Sequence, residues 1–129
     1  MSDRNRLVPQ QVIGPTPPAT AGDMDDDIIS LPTNVNMFSV MSYTIVWTGT
    51  PEGVFTVEVS NDYVPANSDK PAYAGNWVAL TLSETVEAVG DAGSAFIDID
   101  IMGAAWVRLK YTSDTGDGAC VATFAGKCA

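Results

Sequence analysis

Residues 96–101 read FIDIDI, and the two aspartates in this run, Asp98 and Asp100, are spaced for chemistry. Side chains two apart in a strand stand on the same side, so both carboxylates face one ligand, as an acid–base pair or a cation site requires. Glycosidases work with two such carboxylates, but across a deep cleft, and a chain of 129 residues has little material to build one. Calcium takes about six to eight oxygens, many of them from loop carbonyls; two carboxylates on a regular strand supply too few. The plainer expectation is the solvated face of a strand. Ala95, Ile97, Ile99 and Ile101 then point inward, and Phe96, Asp98 and Asp100 point outward. Arg108 and Lys110, which alternate in the same way on a later strand, are expected to balance the acidic face by cross-strand pairing.

The other reactive groups are few. The chain has no histidine, which removes the commonest general base and the usual Ser and Cys triads. There is no GxSxG, no P-loop and no dinucleotide fingerprint; GDAGS (90–94) reads as a turn. The cluster GDMDDD (22–27) lacks calcium-loop spacing and reads as a solvated linker. Cys120 lies in an apolar strand-like run and reads as a buried thiol. Cys128, near the chain end, is either exposed or bridged to Cys120. These residues predict a protein that is not an enzyme, with no catalytic, cofactor or metal residue.

Net charge is −10, sixteen acidic residues against six basic ones. Nucleic-acid grooves need clustered Lys and Arg, whereas Lys70, Arg108, Lys110 and Lys127 are scattered among carboxylates. No run reaches the roughly 18–20 apolar residues of a membrane span, and the opening MSDRNRLVPQQVIGPTPP lacks the apolar core of a signal peptide. The expectation is a soluble protein that binds neither nucleic acid nor membrane.

The elements that would position these residues divide the chain in two. Residues 1–27 carry four of the eight prolines and then four aspartates in five positions. Proline fixes φ and removes a donor, so this reads as an extended arm, ordered against a partner. Arg4 and Arg6 would pair with acidic surface there, and Leu7, Val8, Val12 and Ile13 would supply apolar anchors. From Ile28 to the end the period is two, and residues 28–129 form one domain. Met41, Tyr43, Ile45 and Trp47 share one face, and Phe55, Val57 and Val59 another. Strands are expected at 28–31, 37–47, 54–60, 77–82, 84–89, 95–101, 105–112 and 119–126, separated by turn chemistry. The fold class is all-β, an antiparallel β-sandwich of jelly-roll or immunoglobulin-like topology with the N-terminal arm. Trp47, Trp77 and Trp106 lie in or at the start of strands, Trp47 in the core. Trp106 shares a face with Arg108 and Lys110, and Tyr63 and Tyr73 lie in the long loop 61–76; these five are the expected exposed interface.

The runs FTVEVSND (55–62), NWVAL (76–80), IDI (99–101) and AAWVRLKYTSDTGDGACVATFAGK (104–127) together resemble small virion proteins of tailed bacteriophages. The likeness spans about residues 54–127 and lies in strands and turns rather than in a site motif. It implies a β-sandwich on a phage particle, a head decoration or cement protein that stabilises the capsid through its arm and one sheet face. Its partners would be the major capsid protein and neighbouring copies of itself, as a homo-oligomeric trimer or dimer, on virions assembled in the host cytoplasm. The alternative is a tail- or spike-associated module that binds carbohydrate or another receptor.

Overall fold

Period-two alternation needs a second surface to cover each apolar face, and the chain supplies it from within itself. The computed structural model describes residues 8–36, 38–66, 71–82, 84–99 and 103–127, and there is no helix among them. The strands are β1 (Val8–Ile13), β2 (Ile28–Ile29), β3 (Thr33–Asn34), β4 (Val40–Gly49), β5 (Glu52–Ser60), β6 (Val78–Ala79), β7 (Val86–Val89), β8 (Gly93–Ile99), β9 (Trp106–Thr115) and β10 (Gly118–Lys127). All strand pairs are antiparallel. One sheet runs β1-β10-β4-β8. The other runs β2-β9-β5-β6, with β3 also on β9 and β7 also on β5.

The two sheets share one core. Met41, Tyr43, Ile45 and Trp47 of β4 are buried together, as their spacing predicts, and so are Phe55 and Val57 of β5. Val59 is only partly buried and packs at the margin. Rings link the layers: Trp47 of the first sheet lies 5.3 Å from Phe55 of the second, and Phe55 lies 4.8 Å from Tyr111. Gly116 makes the tight link from β9 to β10 possible. Its φ is +78°, and a side chain there would collide with the carbonyl oxygen of Thr50.

Three expectations are corrected. Residues 8–27 do not reach away from the body. β1 pairs with β10 along the edge of the first sheet, and Pro9 is tolerated because the strand is an edge. A bulge between Gln11 and Ile13 breaks the alternation, so Val12 and Ile13 both turn inward and are 0 % exposed. Met24 is buried as well, held by its N–H donating to Gly118 O at 2.9 Å, while Cys120 N–H donates to Gly22 O at 2.9 Å. Secondly, β8 pairs with β4, not with β9. Phe96 and Asp98 do face solvent and Ile97 and Ile99 do face the core, but Arg108 and Lys110 stand on the other sheet and balance nothing on β8. Asp100 lies outside the described residues. Thirdly, 77–82 yields only the two-residue β6, while β1 and β3 add strands that the pattern missed.

Ile13→Ala is expected to lower the unfolding free energy by about 2–5 kcal/mol, the usual cost of truncating a fully buried isoleucine. Urea denaturation followed by tryptophan fluorescence measures it. A loss below about 0.5 kcal/mol would mean that the N-terminal segment is not part of the cooperative unit.

Candidate functional site

The antiparallel register of β5 on β9 sets Glu58 opposite Arg108, Ser60 opposite Trp106 and Thr56 opposite Lys110. Glu58 and Arg108 form the one ion pair among the described residues. Arg108 Nε and Nη2 both reach Glu58 Oε1 at 2.8 Å. The guanidinium carbon sits 4.1 Å from the centre of the Trp77 ring, a cation–π contact. Trp77 in turn lies 5.6 Å from Tyr63, and Tyr63 meets Trp106 edge-on at 4.9 Å. Tyr63, Trp106 and Arg108, three of the five residues expected at an exposed interface, therefore converge, each half-buried. Lys110 lies apart, between Ile29 and Thr56. Tyr73 is 52 % exposed and bridges back to Val64 through paired backbone hydrogen bonds of 2.9 and 3.0 Å.

The long loop is fixed at its neck by Asp62. Asn76 donates its backbone N–H to Asp62 Oδ1 and its side-chain amide to Oδ2, both at 2.8 Å, and Ser60 Oγ donates to Oδ1 at 2.9 Å. The Asn76 backbone N–H, then its side chain, then the Ser60 hydroxyl hold the Asp62 carboxyl below its usual range. Gly75, at φ +77°, lets this neck close: a Cβ there would come within 2.8 Å of Tyr63 Cα. Trp77 Nε1–H donates to Ala74 O at 2.8 Å. Tyr63 thus meets Trp106 edge-on and Trp77 at a tilt, so the three rings do not form a flat row.

Trp106 also lines an open groove of about 610 Å³, whose apolar lining includes Pro9, Pro32, Phe38 and Phe124 and whose polar lining includes Gln10 and Asn34. Gln10 accepts a hydrogen bond from Thr33 Oγ1 at 3.2 Å, joining β1 to β3 across it. Chemically the arrangement offers apolar surface, amides and one neutralised ion pair. Among the described residues around it, no side chains are assembled as a nucleophile with its base. Among the described residues no three acidic or cysteine side chains converge on a cation position. Cys120 is buried against the core, and desolvation pushes its thiol up to about 12.

Of the expected anchors, Arg4, Arg6 and Leu7 lie outside the described residues, as does Cys128. Val8 opens β1 opposite Gly126, and Val12 and Ile13 anchor on this chain's own core. Sequence reasoning missed Glu58 as the partner of Arg108, because its outward phase was visible but the register of β5 on β9 was not. The groove was invisible because β3 is only two residues long and carries no periodicity. No protein-family model, curated protein or solved structure matches the chain.

Two measurements follow from this geometry. A carboxyl lowered in the folded state stabilises above its unfolded value, near 3.8, and that contribution is lost as pH falls through the folded value. Acidification below about pH 4 is therefore expected to release the loop neck and change Trp77 and Trp106 emission before global unfolding. Asp62→Asn should remove that step, and an unaltered step would assign it elsewhere. With Cys128→Ser as background, Cys120 at pH 8 carries about a thousandfold less thiolate than an ordinary thiol, so iodoacetamide should leave it unmodified in the native chain and label it fully in urea. Rapid native labelling would contradict the burial.

Proposed function

We propose that this chain is a structural virion protein, a capsid decoration protein built as a jelly-roll β-sandwich. The observation that carries the reading is the strand order. Counting β2 with β3 and β6 with β7 as single positions gives eight, ordered 1-8-3-6 in one sheet and 2-7-4-5 in the other. That is the order of two Greek keys in a double-sheet jelly roll, a fold found in viral capsid and lectin domains. An immunoglobulin-like sandwich instead keeps its first two strands side by side in one sheet, which β1 and β2 here are not. The step from jelly roll to virion rests on analogy together with the resemblance to phage proteins over 54–127.

In this reading the major capsid protein docks at the end of the sheets where Trp106, Phe38 and Pro32 line the groove. Arg4, Arg6 and Leu7, outside the described residues, belong to the same capsid contact in this reading. The protein acts as a homo-oligomer on the particle surface, assembled in the host cytoplasm, and clamps capsomers without chemistry of its own.

The test is co-sedimentation with empty heads of the phage that encodes it. Saturable binding, heads that resist disruption, and loss of both on Trp106→Ala or Asn34→Arg are expected. Intact protein that leaves the heads unbound would overturn the proposal.

A further inference from the structure

Among the described residues, every edge of these sheets is blunted except one. The second sheet ends in strands of two to four residues, β2 and β3 on one side and β6 and β7 on the other. Its sister sheet ends on one side in β1, which carries Pro9 and a bulge. Short strands, proline and bulges are the usual means of keeping an edge from pairing. The remaining edge, β8 (Gly93–Ile99), has none of them. It is seven residues long and runs along β4 in unbroken register from Trp47 opposite Gly93 to Met41 opposite Ile99. Its outer backbone groups have no partner among the described residues. Phe96, at its middle, is 65 % exposed.

We propose that β8 is a self-association edge, pairing antiparallel with β8 of a second copy about a two-fold axis at Phe96. The strand is complementary to itself around that residue. Reversed upon its own sequence, Ala95 meets Ile97 on the core side, and on the solvent side Ser94 meets Asp98 while Phe96 meets Phe96. Apolar thus faces apolar, and polar faces polar. The match matters because a chain of net charge −10 repels its own copies, and a foreign strand would have no reason to share this symmetry. β8 carries a single charge, and the two-fold sets the two Asp98 side chains about 13 Å apart, beyond the roughly 10 Å Debye length at 0.1 M salt. Cross-strand aromatic pairs stabilise such a ladder. The result is one continuous eight-stranded sheet through a closed, isologous dimer.

The inference specifies the self-association within the proposed function but is tested on the isolated full-length chain, so its failure would leave the decoration reading standing. Sedimentation equilibrium is expected to give a dimer. Ser94→Lys, opposite Asp98 of the other copy, should tighten it, and Ser94→Asp should loosen it. Each change in Kd is about two- to thirtyfold, since the pair occurs twice per dimer. Phe96→Cys with Cys128→Ser should cross-link to a covalent dimer under mild oxidation. A monomer at every concentration, a Kd indifferent to the charge at 94, or a Phe96→Cys chain that fails to cross-link would each overturn the proposal.

Discussion

The last strand, β10, pairs with β4 over ten residues, from Gly118 opposite Gly49 to Lys127 opposite Val40, and takes β1 on its other edge; the rest of the structure depends on that seating. It turns Cys120, Ala122 and Phe124 onto the same core as Ile45, Tyr43 and Trp47. Tyr43 and Phe124, neighbours across the ladder, meet edge to face at 5.6 Å. Without β10, β1 has no ladder and Val12 and Ile13 have no core to enter. The closure is entirely non-local, joining the beginning and end of the chain to its middle, so folding must close long loops before these contacts form.

The same seating explains why connections cross between layers. β4 leads to β5 and β9 leads to β10, each pair lying in different sheets. Both links come together at one corner, where Thr50 N–H donates to Asp117 O at 2.9 Å. A hairpin at either place would have paired neighbours in sequence and left the apolar faces of β4 and β10 without a facing layer. Crossing at both places encloses one core by two sheets, and it leaves β5 and β9 free to pair with each other and align Glu58 with Arg108.

The two-residue period was legible wherever a strand is long and covered on one side. It identified the inward faces of β4, β5 and β8, the buried thiol at Cys120 and the solvated carboxylate at Asp98. It could not identify partners, since alternation fixes which face a residue takes but not which strand lies beside it. That is why Arg108 was expected to face Asp98 and instead neutralises Glu58. Prolines misled at the N-terminus for a related reason. They exclude helix and central strand, but an edge strand closed by a bulge tolerates Pro9 and still buries two apolar residues in succession. The convergence of Tyr63, Trp77 and Trp106 depends on Asp62 closing a loop across fourteen positions, a tertiary bond that no local pattern encodes.

Charge is distributed as unevenly as the edges are. The second sheet shows Glu52 and Glu87 to solvent and carries the half-buried Glu58, Arg108 and Lys110, and the corner beside β10 gathers Asp23, Asp25, Asp26, Asp27 and Asp117. At that corner the Asp25 carboxyl is raised, first by its hydrogen bond to Asp23 and then by repulsion from Asp23, Asp26 and Asp117. The neighbouring carboxylates thus favour the protonated form of Asp25. On the outer face of the first sheet, Ser42, Thr44, Val46, Ser94, Phe96, Val121, Thr123 and Ala125 form an uncharged field with Asp98 and Lys127 at one end. An acidic chain can approach another acidic surface, its own copy included, only where its field is weakest. On this chain that repulsion is weakest over the first sheet and along its open edge.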